Sequence, residues 1–370
     1  MGGHLSVTYF PFLNMDGAKE IDFGFLKIWN FSAMKDTYVP DQATREHLEK
    51  IFAMHQSYGK PIEGIGVVSI GATDFRAFTE DEYRKIRAAR LILFLSFIDR
   101  NNTGHDPNAG HSMVTSDTFD LYTQGFIVGD DHLSDRAGEI ISFLRGGFEL
   151  GRTVFERPGF VPAHFMFALS SDLFSSLRDM QAKRPRVFEK VITATELFFE
   201  SYYNGPQLSK NARVLLQASA FEVLLDLPER DQRKHFKEAI GTLTNLPGEK
   251  TYTHFSERTG RLKVREKITI KQIWADLFYT LRNHIIHGNT PKSSDFVFKG
   301  ARHTDITVQF FVLCVRKLIE KKLPGHPCDH LIEWGSWEDA SQTPPTRVNG
   351  FVYRVEIMKK IARALKKKSP

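Results

Sequence analysis

A long amphipathic run near residue 280 constrains the fold more than any other part of the chain. Thr269 and Gln272 have capping-box spacing, in which a hydroxyl and a side-chain amide satisfy the first backbone groups of a helix. Apolar residues then recur every three or four positions and form one helical face: Ile270, Ile273, Trp274, Leu277, Leu281 and Ile285. Gly288 suits the left-handed position after a helix, and Pro291 prevents continuation. The pattern predicts a helix over 270–287, ending in an arginine, an asparagine and two histidines.

The rest of the periodicity divides the chain of 370 residues into a mixed first half and a helical second half. In the first half, strands are expected over 5–13, 23–31, 65–70, 119–128, 139–144, 148 and 154–155, and helices over 41–57, 79–98 and 171–180. In the second half, helices are expected over 187–203, 209–227, 231–243, 270–287 and 307–323. The polar, basic segment 251–267 is expected to be a loop or hairpin.

This layout predicts the α+β class, with three parts. A mixed α/β N-terminal domain over 1–183, with a sensing or regulatory role, precedes an all-α helical bundle over 184–325. A C-terminal extension with a basic helix completes the chain over 326–370.

The excess of positive charge lies in the C-terminal tail. The formal net charge is +6. Six basic residues fall within 358–368, which contains no acid: Lys359, Lys360, Arg363, Lys366, Lys367 and Lys368. The remainder is close to neutral, so overall basicity does not indicate a nucleic-acid-binding face. The tail is expected to be a solvated basic helix end, with contact to RNA or an anionic membrane as the alternative.

Cysteine usage and hydropathy bear on the compartment. Only two cysteines, Cys314 and Cys328, are present, and neither a disulfide framework nor a secretory signal is evident. The longest apolar run, 91–98, is too short to cross a bilayer. We therefore expect a cytoplasmic protein without a membrane span, whose core is rich in its 31 phenylalanines.

Two short motifs are poor candidates for ligand sites. GGFELGRT (146–153) has P-loop spacing, but Arg152 stands where lysine is needed and large residues replace those that cradle phosphate. HPCDH (326–330) offers several metal ligands, but no second ligand pair is present to close a zinc site. We predict a β-turn and an exposed loop, respectively, and hence no cofactor and no metal.

The end of the amphipathic run carries a family resemblance. In RNHIIH (282–287) an arginine and a histidine are separated by four residues, which resembles the R-x4–6-H motif of the HEPN superfamily. AFEVLL (220–225), followed by LFYTLRN (277–283) and the closing HG (287–288), resembles the Apea-like branch found in abortive-infection proteins. The resemblance covers about residues 187–323. It implies a dimerising helical bundle and, in many members, metal-independent RNA cleavage; other members have lost the activity and only bind partners.

The residue types fit that chemistry. RNA cleavage without a metal needs a deprotonated 2′-hydroxyl, a protonated leaving oxygen and a stabilised phosphorane. Histidine exchanges protons near neutral pH, and the helix dipole would favour the charged form of His287. Arg282 offers a permanently charged fork for phosphate oxygens, and Asn283 would orient the scissile phosphate. The expected catalytic residues are Arg282, His287 and Asn283, and the expected supporting residues are Glu222, Tyr279 and His284.

Helix geometry adds a constraint on this site. Arg282 and His287 lie ~140° apart around a regular helix and ~7.5 Å apart along it, so they do not converge. Convergence needs a distorted last turn or a second copy across a two-fold axis. We predict a homodimer, formed through the bundle, whose two Arg282/His287 sets line one cleft.

The resemblance, together with these residue types, implies a metal-independent endoribonuclease of the HEPN type that acts in phage defence (abortive infection) or as a toxin. Its expected partners are RNA, a second copy of the chain and a phage-derived or antitoxin-like regulator. The alternative is a non-catalytic HEPN module that binds RNA, a nucleotide or a protein. In that case Arg282 pairs structurally with Glu222, and His284 packs on the Leu281 side of the helix. A second alternative places an enzyme in the N-terminal half, with the bundle as a dimeriser.

Overall fold

The computed structural model describes residues 5–13, 15, 17–71, 75–102, 116–130, 132–133, 148–150, 153–158, 169–203, 208–243, 251–257, 263–299 and 301–326. These residues form two compact units. Unit 1 contains the described residues of Met1–Phe97, Ser112–Leu169 and Tyr202–Asn204, and unit 2 those of Ile98–His111, Ser170–Ser201 and Gly205–Pro370. Both helices and sheets are present, which confirms the α+β class.

Unit 1 contains short strands and three helices, the last of which continues into unit 2. In chain order they are β1 (Leu5–Phe10), β2 (Glu20–Asp22), β3 (Lys27–Asn30), α1 (Phe31–Tyr38), α2 (Gln42–Ala53), β4 (His55–Ser57), β5 (Lys60–Pro61), β6 (Gly66–Ser69), α3 (Glu80–Asn102), β7 (Tyr122–Phe126), β8 (His132–Leu133), β9 (Phe148–Glu149) and β10 (Phe155–Glu156). A short 3-10 helix, Ser116–Phe119, precedes β7.

The main sheet of unit 1 is antiparallel, with the strand order β2-β3-β6-β1-β7. Its core joins strand residues such as Val7 and Val67 to Leu48 and Ile51 of α2. The expected strand over 23–31 is wrong at its end. The Asn30 side chain accepts a hydrogen bond from the Ala33 backbone N–H at 3.3 Å, so the chain enters α1 immediately after β3.

Unit 2 is a helical bundle with a long β-hairpin. Besides residues 98–102 of α3, it contains α4 (Ser171–Lys183), α5 (Pro185–Glu200), α6 (Lys210–Leu225), α7 (Gln232–Leu243), β11 (Thr251–Glu257), β12 (Lys263–Thr269), α8 (Ile270–Ile286), β13 (Val297–Phe298), β14 (Ala301–Arg302) and α9 (His303–Lys322). A 3-10 helix, Ser293–Phe296, precedes β13. The expected helices and the hairpin are confirmed, although α9 begins at His303 and not near residue 307.

Stacked aromatic rings fill the bundle core. The ring centroids of Phe198 and Phe311 are 4.1 Å apart, and those of Trp274 and Phe310 are 4.3 Å apart. These pairs join α5 and α8 to α9, so the aromatic residues of the sequence do form core packing here.

The predicted domain limits remain predictions. In the described chain, α4 belongs to unit 2, and the single residue Arg184 separates it from α5. The strand expected over 139–144 and the basic C-terminal helix lie outside the described residues, as does all of the predicted extension except His326.

Candidate functional site at the end of α8

The start of α8 is fixed by the predicted capping box. The Gln272 backbone N–H donates to Thr269 Oγ1 at 3.3 Å, and the Thr269 backbone N–H donates to Gln272 Oε1 at 3.1 Å. This confirms the assignment made from the spacing of the two residues. The cap fixes the register of the helix from its first turn.

The other end of α8 closes in a Schellman arrangement around Gly288. Gly288 has φ of +75° and donates its N–H to the Ile285 carbonyl at 3.1 Å, and Asn289 donates to the His284 carbonyl at 3.0 Å. His287 is the C-cap residue, and its backbone N–H still donates to the Asn283 carbonyl at 3.0 Å. The helix is therefore regular up to His287, without the distorted last turn that would bring Arg282 and His287 together within one chain.

His287 is exposed, and its side chain makes no hydrogen bond or ion pair with any residue in the described part of the chain. His284 is also exposed. The expectation that His284 packs on the Leu281 side of the helix is therefore wrong. Both imidazoles are available to solvent or to a ligand, in contrast to the buried His303, whose pKa is lowered by desolvation to about 4.

Arg282 is held in place by three neighbours. Its Nη2 lies 2.9 Å from Glu222 Oε1, and its Nη1 donates to Asn283 Oδ1 at 3.1 Å. The guanidinium carbon lies 5.2 Å from the centre of the Tyr279 ring. The pairing with Glu222 is the one expected for a structural role. A guanidinium has five N–H donors, however, so the two contacts leave donors for a phosphate.

Tyr279 links three helices beneath this arginine. Its Oη donates to Glu222 Oε1 of α6 at 2.6 Å, and Gln232 Oε1 of α7 lies 3.0 Å from the same oxygen. Burial raises the pKa of the Tyr279 hydroxyl, and the hydrogen bond to Glu222 raises it further. The hydroxyl therefore remains a proton donor that positions Glu222 under Arg282.

A second polar cluster lies nearer the start of α8, and sequence reasoning missed it. Asp276 is buried and receives both arms of a bidentate hydrogen bond from Arg233 of α7, at 2.8 and 2.7 Å. His254 Nε2 of β11 lies 3.0 Å from Asp276 Oδ2. Burial alone would raise the pKa of Asp276, but the hydrogen bonds from Arg233 and His254 outweigh it and hold the pKa below its ordinary value. These partners are too far apart in sequence for a helical or strand period to reveal them.

The structure describes only parts of the two other motifs singled out in the sequence. His326 contacts Ser176 and Asp179 of α4, while the rest of HPCDH lies outside the described residues. Only Phe148–Leu150 and Thr153 of the P-loop-like segment are described, and Phe148–Glu149 is a strand. Among the described residues, no group of three or more potential metal ligands is arranged to hold an ion. None of the described helices is both long enough and apolar enough to cross a membrane.

Comparisons with known proteins provide no relative from which the role of the site could be inferred. No protein-family model matches the chain, and no curated protein or solved structure matches it either.

Proposed function

We propose that this protein is a metal-independent endoribonuclease of the HEPN type that acts in phage defence or as a toxin. The observation that carries the proposal is the exposed His287 at the C-terminus of α8, one turn after Asn283 and on the same helix end as Arg282, which Glu222 anchors. Metal-free RNA cleavage needs an accessible imidazole to move protons and a fixed cation to stabilise the phosphorane, and this helix end carries one of each.

In the proposed reaction, His287 accepts the proton of the RNA 2′-hydroxyl, whose oxygen attacks the adjacent phosphorus. The free donors of Arg282 stabilise the phosphorane, and Asn283 orients the phosphate. The bond from phosphorus to the 5′-oxygen then breaks, and that oxygen takes a proton from the imidazolium form of His287. The products are a 2′,3′-cyclic phosphate and a 5′-hydroxyl.

The proposal includes a homodimer. Arg282 and His287 lie ~140° apart on a helix that is regular through its last turn, so one chain does not direct both at the same phosphate. A two-fold axis near the end of α8 would allow His287 of one chain and Arg282 of the other to act together. We assign sensing of a phage-derived or antitoxin-like trigger to the N-terminal half.

The test is cleavage of a defined single-stranded RNA by the purified protein in EDTA. We expect a 2′,3′-cyclic phosphate at the new 3′ end and at least about a 100-fold loss of rate in His287→Ala, the scale of a general acid–base contribution. His235→Ala is the matched control, because His235 is a partly exposed histidine of α7 outside the proposed site, where it lies near Glu238. Circular dichroism checks that both variants are folded.

Cleavage by His287→Ala at the wild-type rate would contradict the assignment. So would products with a 3′-hydroxyl, since these arise by attack of water and not of the 2′-hydroxyl.

A non-catalytic module remains the second candidate, and the Arg282–Glu222 ion pair favours it. In this case the arginine is structural, and the helix end only holds RNA, a nucleotide or a protein. RNA binding without cleavage under these conditions is the result expected of such a module.

A further inference from the structure

The hairpin that precedes α8 has two different faces. β11 and β12 pair antiparallel through seven residue pairs, from Thr251 opposite Thr269 to Glu257 opposite Lys263. Alternate residues of a strand point to opposite sides, so each strand contributes one set of side chains to each face. The inward face contains Tyr252, His254, Glu266 and Ile268; the outward face contains Thr253, Phe255, Arg265 and Lys267.

The inward face is fastened to the bundle by charged contacts. His254 bonds to the buried Asp276 of α8, and Glu266 pairs with Lys237 of α7. Ile268 is buried, and the Lys299 ammonium lies 5.8 Å from the centre of the Tyr252 ring. These contacts hold the hairpin in a fixed orientation on unit 2, with its other face turned outward.

The outward face combines an exposed aromatic ring with cations. Phe255 is 55% exposed, which is unusual for a residue type that elsewhere fills the core. Arg265 is directly opposite Phe255, and Lys267 is opposite Thr253 at the adjacent outward pair; both are exposed. These two adjacent pairs carry two positive charges and no acid. The strand pairing ends with Glu257 opposite Lys263.

We propose that the outward face of the hairpin binds single-stranded RNA. Phe255 stacks on a base, while Arg265 and Lys267 contact phosphates on either side of it. The two cations are two residues apart, about 7 Å along the strand, which is comparable with the spacing of successive phosphates in an extended strand. Aromatic side chains within a basic surface are the usual means of binding single strands without sequence preference. The proposal rests on the proposed function in taking RNA as the substrate of the protein.

The test measures binding of a fluorescein-labelled oligouridylate by anisotropy, in EDTA and in the His287→Ala background, so that the probe stays intact. We expect Phe255→Ala to raise the Kd about tenfold, and Phe255→Trp to keep wild-type affinity because it retains a stacking surface. The double variant Arg265→Ala/Lys267→Ala should reduce the slope of log affinity against log salt by about 0.7 for each cation.

Lys19→Ala/Lys60→Ala is the matched control, because it also removes two exposed positive charges, in this case two lysines of unit 1. It should leave both affinity and salt slope unchanged. An unaltered melting temperature in the hairpin variants shows that their effects do not come from unfolding, as expected for side chains on an exposed face.

Three results would overturn the proposal. The first is a Phe255→Ala variant that binds the oligouridylate with wild-type affinity. The second is a duplex RNA, which has no accessible base faces, whose affinity for the protein equals that of the oligouridylate and falls by the same factor in the hairpin variants. The third is a Phe255→Ala variant that loses self-association in sedimentation but binds RNA normally, because the face would then be a protein contact.

Parallel cleavage assays with His287 intact separate this inference from the proposed function. If cleavage depends on His287 but RNA affinity is unchanged in the hairpin variants, the hairpin site is wrong and the nuclease proposal is retained. If RNA binding is weakened in the hairpin variants but the protein with His287 intact does not cleave RNA, the hairpin site is supported and the proposed nuclease activity is contradicted.

Discussion

Two charged side chains of unit 2, Asp276 and Arg316, are buried and have several charged partners each. Asp276 is bonded by Arg233 and His254. Arg316 of α9 donates Nε to Asp99 at 2.7 Å and Nη1 to Asp172 at 2.8 Å, and Asp99 is fully buried. A buried charge is tolerated only where such partners replace the lost water. At the scale of single residues, a substitution of either side chain is therefore expected to destabilise the protein strongly.

Asp276→Asn should make the protein less stable at neutral pH. The pKa of Asp276 is lower in the folded protein than its ordinary value of 3.8, so ionisation of this carboxyl stabilises the folded state. That stabilisation is complete well above pH 3.8 and is lost as the pH falls through 3.8 towards the lowered folded-state pKa. We expect a loss of about 3 kcal/mol at pH 7, measured by urea unfolding, that shrinks on acidification.

Asp305→Asn is the control for this experiment, since Asp305 forms an exposed pair with Arg302. Its effect on the free energy of unfolding should be below about 1 kcal/mol at pH 7. A constant difference between Asp276→Asn and wild type from pH 7 to pH 3 would contradict the linkage argument.

At the scale of elements, local sequence predicts where helices start and stop. Asp41 caps α2 through the Thr44 backbone N–H, and Thr79 and Glu82 form the predicted capping box at the start of α3. These signals work because the partners lie within three residues of each other, where chain geometry alone brings them together. The end of α8 at Gly288 was predictable for the same reason.

What could not be predicted depends on partners remote in sequence. Arg233 and His254 reach Asp276 from 43 and 22 residues away, and Arg316 reaches Asp99 from 217 residues away. No periodic pattern encodes such pairs, because packing of separate elements creates them. The residues of the candidate site could be identified as a sequence motif. Whether Arg282 pairs with Glu222 could not, because that contact depends on how α6 packs against α8.

Gly288→Ala should destabilise the protein by about 1 kcal/mol. Gly288 has φ of +75°, and a Cβ added there would meet no atom within 4 Å, so the cost is conformational and not steric. Gly288→Asn should cost less, because asparagine tolerates the left-handed region better than alanine does. Thermal unfolding of the two variants gives the comparison, and equal losses would argue against a backbone origin.

At the scale of the whole molecule, the exposed side of α8 bears on self-association. Leu277, His284 and His287 share one side of the helix at spacings of seven and three residues. Leu277 is 39% exposed, so an apolar side chain accompanies the two histidines along this side. In a dimer whose two-fold axis runs parallel to α8, a second copy that covered Leu277 would bring its own helix end close to His287.

Leu277→Glu should weaken the proposed dimer while leaving each chain folded. Burial of a leucine contributes about 2 kcal/mol, so its replacement by a charge should raise the dimer Kd more than tenfold. Sedimentation velocity over a concentration series measures this change. Val297→Glu is the control, because Val297 is an exposed apolar residue of β13. A wild-type protein that is monomeric at all concentrations, yet cleaves RNA, would refute the shared cleft.

The Arg316–Asp99 pair also determines how this chain can be divided. Unit 2 takes residues 98–102, Asp99 among them, from the end of α3, whereas its other described residues begin at Ser170. A gene fragment starting at residue 170 would therefore encode the helical bundle with a buried guanidinium and no carboxylate from α3. The resulting loss, on the order of 3–5 kcal/mol, is a large part of the stability of an ordinary domain. We therefore expect the bundle to be inherited together with the end of α3, and not as a simple C-terminal cassette that starts at residue 170.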